Sequence, residues 1–191
     1  MNKNEIINWL KNNLDEERFE HSIGVSEKAL ELAKQFNLNL EKAEIAGLVH
    51  DCAKCLSKDE LVEIITKNVQ VEECEMINPK TYHAPAGVYI AKEKLGINDT
   101  EILSAIRWHT IGYKSMTDFE KIIFIADKIE ERTRPKEMID SIAKYLTEDN
   151  GLNKALLACY KGTIKSLVDR DLKICINTID LYNELLGLVN D

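Results

Sequence analysis

Six residues of metal-ligand type stand inside or at the edges of apolar segments in this 191-residue chain. The adjacent pair His50 and Asp51 closes the apolar run 45–49, and Asp127 lies within the stretch IIFIADKI. A carboxylate buried alone is unfavourable, because it loses its hydration without gaining a partner. Metal coordination would remove that penalty, so the placement predicts a buried metal site. The candidate ligands are His21, His50, Asp51, His83, His109 and Asp127.

The His50–Asp51 pair is suited to bind a single ion from the end of a helix. Adjacent residues on a helix point about 100° apart, since one turn takes about 3.6 residues. A metal ion in the angle between the two side chains can therefore be reached by both. Imidazole with carboxylate suits iron, manganese, nickel, zinc or magnesium better than copper(I), which prefers sulfur.

Each of the six residues also has a purely structural interpretation. A histidine on an apolar helix face is commonly a hydrogen-bonded core residue, and an aspartate is commonly a helix cap or an ion-pair partner. Those explanations would have to hold separately for six residues on five expected helices. One metal site explains all six together, and we therefore favour it.

Cys52 and Cys55 form a Cys-x-x-Cys spacing directly after this pair. A thioredoxin-type site is expected beside a β-α-β pattern, and a four-sulfur zinc site requires a second close pair of cysteines. Neither is apparent, since Cys74, Cys159 and Cys175 are dispersed along the chain. We interpret Cys52 and Cys55 as two helix cysteines that could be sensitive to oxidation beside the metal centre.

The segments that carry the ligands have an apolar period of about 3.6 residues, which is typical of α-helices. Eight glycines and three prolines in the whole chain also favour long helices over short strands. Ser57-Lys-Asp-Glu60 and Thr117-Asp-Phe-Glu120 match the capping box that begins a helix. The acidic segment 70–80 is expected to be a loop. Helices are expected at 6–14, 15–36, 40–53, 82–95 and 100–109, after Ser57, from Thr117 through Asp127, and twice within 153–188.

We predict a single all-α domain over residues 1–191, because no repeat, low-complexity tract or clear linker interrupts the chain. Its metal-site core is expected at about residues 15–135. The weakest joint is 132–137, around Pro135. The C-terminal helices, at about 136–191, would either brace the core or form a subunit contact, and a homodimer is therefore left open.

The charge of the chain excludes some partners. With 25 Lys and Arg against 33 Asp and Glu, the formal net charge is −8. No Lys/Arg-rich block is present, and nucleic-acid binding, which depends on a dense cationic face, is not expected. An anionic substrate could still bind where metal ions and a few local cations supply positive charge.

Cellular location is predicted from hydropathy and cysteine content. The N-terminal segment has no apolar stretch suited to a signal peptide, and the longest apolar run is 155–160. That run is far shorter than the roughly 20 residues that span a bilayer. Five cysteines, an odd number, indicate free thiols rather than disulfides. We therefore predict a soluble cytoplasmic protein without membrane association.

The chain resembles the HD-domain phosphohydrolase superfamily, whose signature His…His-Asp…Asp falls on His21, His50–Asp51 and Asp127. Within it, the chain looks like the YqeK group of symmetrical dinucleoside-tetraphosphate hydrolases. Four strings of the sequence match this group. The second and the third determine the assignment, because other HD enzymes share the first and the last. The strings are HDCAK (50–54), YHAPAG (82–87), RWHTIG (107–112) and IADKIE (125–130).

The resemblance implies an HD-type helical bundle with a two-metal centre. The first ion would be bound by His21, His50, Asp51 and Asp127. The second would be bound by His83 and His109, with Asp51 as the bridge. Iron is the metal that the resemblance favours, with manganese, nickel, cobalt or magnesium as alternatives. The ions would lower the pKa of a bound water and neutralise phosphate charge, so that metal-bound hydroxide attacks phosphorus in line.

The implied reaction is symmetrical cleavage of a dinucleoside polyphosphate, with diadenosine tetraphosphate giving two ADP and a guanosine-containing substrate giving GDP. One alternative is another HD-type nucleotide phosphohydrolase, such as a nucleotidase or a cyclic-nucleotide phosphodiesterase. Another is a non-catalytic nucleotide-sensing HD protein. Loss of a metal ligand would favour the sensing protein, and none of the six is missing.

Substrate contacts are expected from cations and hydrogen-bond donors beside the ligands. Lys54 is the first candidate for catalysis and phosphate binding, followed by Arg107 and Thr110. Gly87 and Gly112 are expected to allow close approach of the backbone or the substrate.

The chain departs from the family pattern after IADKIE. There the family continues with a proline, then an arginine, then a second proline, whereas this chain reads Glu131-Arg132-Thr133-Arg134-Pro135. A match requires a one-residue deletion, so both Arg132 and Arg134 remain candidates for contact with phosphate.

Overall fold

The computed structural model describes residues 1–190, and every regular element in that range is helical. The prediction of an all-α fold is confirmed. None of the described helices combines the length and the apolar character that a membrane span requires. The α-helices are α1 (Lys3–Asn13), α2 (Glu16–Gln35), α3 (Leu40–Val49), α4 (Lys58–Asn68), α5 (His83–Glu93), α6 (Thr100–Trp108), α7 (Asp118–Ile129), α8 (Lys136–Ala143), α9 (Gly151–Asp169) and α10 (Ile176–Asn190).

Both predicted capping boxes are confirmed, at the starts of α4 and α7. The Ser57 hydroxyl accepts a hydrogen bond from the backbone N–H of Glu60, whose carboxylate accepts one from the N–H of Ser57 at 2.8 Å. Thr117 and Glu120 make the same reciprocal pair. Each box satisfies two amide groups that a helix leaves without partners at its N-terminus.

Helix α7 lies at the centre of the fold. Nine of its 12 residues are buried, and it packs against α2, α3, α6, α8 and α9. A helix that is apolar on nearly all sides is expected in the interior of a protein. This position carries Asp127 into the core.

Helices α2 and α3 approach each other closely at Gly47. A Cβ atom at this position would lie 2.6 Å from the Cα atom and 2.9 Å from the backbone nitrogen of Ser26. The Ser26 hydroxyl also donates a hydrogen bond of 2.8 Å to the carbonyl of Glu44. The absent side chain lets the two backbones pack closely, which places His21 beside His50.

The helix before the His–Asp pair is shorter than predicted. Helix α3 ends at Val49, four residues early, and a run of tight turns follows. The N–H of Cys52 donates to the carbonyl of Val49 at 3.0 Å, and the N–H of Lys54 donates to that of Asp51 at 2.9 Å. These three-residue spacings are tighter than those of an α-helix. His50 and Asp51 therefore leave the helix axis at its C-terminal end.

Two further elements differ from the sequence predictions. The expected loop 70–80 contains two single-turn 3-10 helices, Glu73–Met76 and Pro79–Thr81. Helix α8 was not predicted and starts directly after Pro135, inside the expected joint. Helices α2, α5 and α6 begin and end within two residues of their predicted bounds, and α9 and α10 are the two helices expected near the C-terminus.

The C-terminal helices pack against the ligand-bearing core. Helix α9 contacts α7, and the Tyr160 ring stacks on Phe124 with 5.0 Å between centroids. The Tyr160 hydroxyl donates to the carbonyl of Ile111 at 2.8 Å, and Thr178 of α10 donates to the same carbonyl at 3.3 Å. These contacts hold the segment that directly follows His109.

Candidate metal centre

The six candidate ligands meet at one point in the core. Each is at most 5% exposed. Two of them lie within helices, and the other four lie where a helix begins or ends. Their positions are His21 in α2, His50 and Asp51 after α3, His83 at the first residue of α5, His109 directly after α6, and Asp127 in α7.

One group of ligand atoms gathers around His21, His50 and Asp127. The Nε2 atom of His21 lies 3.0 Å from Oδ1 of Asp127. The Nε2 atom of His50 lies 4.0 Å from the same oxygen and 3.7 Å from Oδ2 of Asp51. These atoms come from three helices and point at a common space.

A second group gathers around Asp51, His83 and His109. The Oδ1 atom of Asp51 lies 3.0 Å from Nε2 of His83 and 3.3 Å from Nε2 of His109. The two Nε2 atoms are 3.1 Å apart. In each of two sets of three residues, the potential ligand atoms lie within 4.8 Å of one another. The sets are His21, His50 and Asp51, and Asp51, His83 and His109, so both contain Asp51.

Hydrogen bonds on the outer side of the histidines leave their inner nitrogens free to coordinate. The Nδ1 atom of His50 lies 2.8 Å from the carbonyl of Gly47, and that of His109 lies 2.6 Å from the carbonyl of Ile106. A carbonyl only accepts, so Nδ1 carries the proton and Nε2 carries the lone pair. His21 directs its Nδ1 at the carboxylate of Glu130, 3.1 Å away. Such outer partners orient metal-binding histidines.

Two buried atoms at the centre lack hydrogen-bond partners. They are Nε2 of His50 and Oδ1 of Asp51, which face the shared space. Buried polar atoms in proteins are normally satisfied, and an exception requires an explanation. Metal ions held by the two ligand sets would satisfy both atoms, and the donor sets are ones that divalent transition metals accept. The residues present therefore fit a metal centre.

The protonation states also fit. Burial lowers the pKa of His50 to about 3 and that of His83 to about 4. Burial opposes ionisation of Asp51 and Asp127, yet neighbouring histidines and, for Asp127, the Lys128 ammonium hold the pKa of each carboxyl well below its usual range. Neutral imidazoles and ionised carboxylates are the forms that bind metal ions.

Four of the six candidate ligands, Asp51, His83, His109 and Asp127, line a cleft with a volume of about 620 Å³. In the described part of the chain, Asp51 and Asp127 are the only carboxylates in its lining. The cleft therefore concentrates positive charge in a protein whose net charge is −8, which favours an anionic ligand. Seven cationic side chains line it, namely Arg18, Lys54, Lys80, Lys128, Arg134, Arg170 and Lys173.

Three of the predicted substrate contacts line this cleft. The Nζ atom of Lys54 lies 3.0 Å from Nε2 of His83, and burial lowers the pKa of this ammonium group. Thr110 lines the cleft wall. Arg134 donates to Oδ1 of Asp127 at 2.6 Å and to its carbonyl at 2.8 Å, so its guanidinium lies against a metal ligand.

Arg107 and Arg132 do not reach the cleft. Arg107 pairs with Glu75 through Nε at 2.8 Å and Nη2 at 2.6 Å. Arg132 pairs with Glu27 at 2.9 and 2.7 Å and also contacts Glu20. Arg107 is thus held by a buried carboxylate, and Arg132 is held by two solvent-accessible ones. These positions give no support to the predicted catalytic role of Arg107, and they favour Arg134 over Arg132 as the residue that contacts phosphate.

Gly112 allows close approach of neighbouring helices, which is one of the two roles expected for it; contact with substrate stays a prediction. It has a φ of +62°, which favours glycine, and an added Cβ would overlap the Tyr160 hydroxyl and lie 2.9 Å from Leu181. The residue lets α9 and α10 close on the segment after His109. Gly87 fits the expectation of close backbone approach, since an added Cβ would lie 3.2 Å from Ile106.

Three residues of the site were missed at the sequence level. Arg18 places Nη1 3.9 Å from Oδ2 of Asp51, and Lys128 places Nζ 2.6 Å from Oδ2 of Asp127. Glu130 orients His21 from a fully buried position. Their spacing from the candidate ligands could have indicated each of them. Arg18 precedes His21 by three residues and Glu130 follows Asp127 by three, which is about one helical turn. Lys128 directly follows Asp127.

The cysteines do not contribute to the centre. Cys52 and Cys55 lie in the turns after α3 and not on a helix, and all five cysteines are free thiols. The Cys52 thiol is buried against the carbonyl of Gly87, and burial raises its pKa. A thiol with a raised pKa is a poor nucleophile at neutral pH.

Comparison with known proteins places this site in a family. The HD domain model matches residues 18–132, which contain all six ligands. The chain is 37% identical to the symmetrical bis(5'-nucleosyl)-tetraphosphatase of Bacillus subtilis, over 98% of this chain and 99% of the relative. The corresponding protein of Halalkalibacterium halodurans is 36% identical, over 97% and 98%. A crystal structure of an HD superfamily hydrolase from Clostridium acetobutylicum, described as involved in NAD metabolism, has a TM-score of 0.90 at 41% identity over 98% of each chain. The order, spacing and convergence of the ligands agree with these matches, and the chain belongs to the HD domain family.

Proposed function

We propose that this protein hydrolyses dinucleoside tetraphosphates symmetrically, with diadenosine tetraphosphate giving two molecules of ADP. The observation that carries the proposal is likeness, over nearly the whole chain, to two relatives named symmetrical bis(5'-nucleosyl)-tetraphosphatases. A complete set of buried ligands and a cationic cleft above them support it.

Two metal ions fit the ligand sets. His21, His50, Asp51 and Asp127 would hold one ion, and Asp51, His83 and His109 would hold the other. Bound ions of this kind lower the pKa of a coordinated water and offset charge on a phosphate. We infer iron as the native metal, with manganese, nickel, cobalt or magnesium as alternatives, since nitrogen and oxygen donors accept all of these.

Four residues of the chain have proposed roles in metal bridging and phosphate binding. Asp51 belongs to both ligand sets and would bridge the two ions. Lys54, Lys128 and Arg134 each have a nitrogen within 4 Å of a ligand carboxylate, and they would contact the phosphates beside the bond that breaks. Hydrogen bonds and charge placed at the reacting phosphate stabilise the transition state.

The number of cations in the cleft favours a long polyphosphate over a cyclic or single phosphate. The seven cations come from separate segments of the chain, from Arg18 in α2 to Arg170 and Lys173 between α9 and α10. A substrate with four phosphates can contact several of them at once, whereas a single phosphate cannot. Cytoplasmic location and a homodimer remain predictions.

Product analysis tests the proposed function. Metal-loaded protein, prepared anaerobically with iron or manganese, is given diadenosine tetraphosphate in H₂¹⁸O, and the nucleotides are separated by anion exchange. Hydrolysis adds one water across the central P–O–P bridge, so we expect ADP as the sole product, with half of its molecules carrying ¹⁸O on the terminal phosphate. AMP with ATP would contradict symmetrical cleavage.

Asp51→Asn is the matched negative control for this assay. The amide keeps the size of the side chain but lacks the charge that two metal ions share. We expect loss of both bound metal and turnover. Retained activity in this variant would exclude Asp51 as the bridging ligand.

A further inference from the structure

A second cavity adjoins the metal cleft. It lies between α8 and α9 and has a volume of about 330 Å³. Because the two cavities share five lining residues, they form one continuous depression, and the shared residues mark the junction. The junction consists of Lys128, Arg134, Thr163, Leu167 and Arg170. We call the part beyond the junction the α8–α9 recess.

The lining changes from cationic to apolar along this path. Beyond the junction the recess is walled by Met138, Ile142, Ala158 and Cys159. At Gly162 on α9, an added Cβ would meet no atom within 4 Å, so open space lies directly above the helix backbone. Ser141 and Ser166 supply hydroxyl groups in the same lining. A mostly apolar cavity with a few polar groups is typical of small-molecule sites, which occupy roughly 300–1,000 Å³.

The junction connects the recess to the metal ligands through cations. Lys128 and Arg134 both contact Asp127, each at 2.6 Å. Arg170 also lines both cavities, and its Nε donates to the carbonyl of Ser166 at 2.9 Å. Among the described residues no carboxylate pairs with Arg170, so its charge is available to a ligand.

We propose that the α8–α9 recess binds one nucleoside of the dinucleotide substrate, with the junction cations holding the two phosphates that connect it to the metal centre. This inference rests on the proposed function. Central cleavage leaves two phosphates between the broken bond and each nucleoside, so each nucleoside must lie some distance from the metal ions. The recess lies on the far side of the junction, since none of the six candidate ligands lines it, whereas Lys128 and Arg134 line both cavities.

The base would lie against the apolar walls. Met138 and Ile142 offer apolar contact to a purine, and the absent side chain at Gly162 leaves room for a planar ring. Methionine adapts its shape to such contacts because its side chain is flexible and polarisable. The serine hydroxyls would face the sugar or the edge of the base.

Gly162→Leu tests this inference, because the new side chain enters the open space without a clash in the protein. Leucine also favours a helix more than glycine does, so the fold is retained. We expect kcat/KM for diadenosine tetraphosphate to fall about tenfold or more, mainly through KM, since burial of one base against apolar side chains is lost. The matched control is Gly187→Leu on α10, where a Cβ also meets nothing within 4 Å but which lies outside both cavities.

Inorganic tripolyphosphate separates a nucleoside subsite from a disturbed phosphate cleft. As a competitive inhibitor it has no base and does not enter the recess, so its Ki in the Gly162→Leu variant should stay within about twofold of that of the unmodified protein. An equal loss for substrate and inhibitor would overturn the inference. Unchanged kcat/KM in the Gly162→Leu variant would also overturn it.

Equilibrium binding of ADP keeps this test independent of the proposed function. If the unmodified protein fails to cleave the dinucleotide, the proposed function fails, but the recess can still be tested. We expect the metal-loaded Gly162→Leu variant to bind one ADP fewer per chain than the Gly187→Leu control in isothermal titration. Equal stoichiometry in both variants would exclude the recess as a nucleoside site.

Discussion

Single residues outside the ligand set determine how well the ligands are held. Both carboxylate oxygens of Glu130 accept hydrogen bonds. The Oε1 atom accepts from Nδ1 of His21 and from the backbone N–H of Thr133. The Oε2 atom accepts from the backbone N–H groups of Arg132 and Thr133. Burial opposes ionisation of Glu130, but these hydrogen bonds lower the pKa of its carboxyl. Glu130 is thus a fixed acceptor that orients His21.

Replacement of Glu130 by glutamine should weaken metal binding. A carboxylate accepts hydrogen bonds at both oxygens, whereas the glutamine amide replaces one oxygen with an NH₂ donor. That NH₂ group would face one of the N–H donors that now bind the carboxylate. Loss of an outer partner of a metal-binding histidine lowers metal affinity about 10–100-fold. Competition with a chelator measures this change, and Glu131→Gln, which alters an exposed neighbour paired with Lys28, is the matched control. Equal affinities in the two variants would argue against an orienting role.

Among single residues, the sequence indicated the candidate ligands that converge in the fold more clearly than it indicated which cations line the cleft. His21, His50 and Asp127 were recognisable because their types conflict with apolar surroundings unless a metal is present. An arginine carries no such conflict, since it is equally stable beside a carboxylate or a phosphate. Arg107 next to Glu75 in the fold illustrates this, because the pairing joins residues 32 positions apart and no local pattern indicates it.

Helices position the ligands, and the pair α2 and α3 is the most constrained of them. His21 lies on α2 and His50 directly follows α3, so the distance between the two helix axes sets the distance between the two imidazoles. Their ring centroids are 5.2 Å apart. Gly47 permits this approach, and its carbonyl also accepts the hydrogen bond from Nδ1 of His50.

A methyl group at Gly47 should force the two helices apart. In Gly47→Ala, the new Cβ would contact the Ser26 backbone at 2.6 Å, and a backbone cannot rotate away. Overpacking of this kind lowers the free energy of unfolding by roughly 1–3 kcal/mol. Urea denaturation of the metal-free protein measures it. The matched control is Gly162→Ala, a helix position with open space, which should gain up to about 1 kcal/mol. Equal stabilities in the two variants would show that the α2–α3 contact is loose.

Helix existence could be predicted from the sequence, whereas several ends could not. Apolar periodicity identified α2, α5 and α6 because each has a long buried face. Helix α3 ends early because turns that direct His50 and Asp51 at their partners replace its last helical turn, and those partners lie in distant segments. Helix α8 has eight residues, too few for a clear period, and it is stabilised by packing against α7 and α9.

The distribution of charge is a property of the whole molecule. The chain carries a net charge of −8, yet seven cations surround two carboxylates in the cleft. Arg18 lies near the N-terminus, whereas Arg170 and Lys173 come from the segment between α9 and α10, beyond the region 18–132 that matches the HD domain. The C-terminal helices therefore complete the cleft in addition to bracing the core, a role that sequence analysis did not predict.

Lys173→Gln tests whether this distant segment contributes to substrate binding. Removal of one cation from the cleft wall should lower kcat/KM for diadenosine tetraphosphate roughly fivefold, the effect of about 1 kcal/mol for one hydrogen-bonded contact. The dependence of kcat/KM on NaCl concentration should also become shallower, because salt screens charges that attract the substrate.

Lys165→Gln is the matched control, since it makes the same charge change on α9 at a residue that is paired with Asp169 and lies outside the cleft. If both variants lose the same activity and show the same salt dependence, net charge alone attracts the substrate. If only Lys173→Gln changes, the C-terminal segment is part of the substrate site, and truncation of the chain to the HD-matching region would impair activity even with every metal ligand in place.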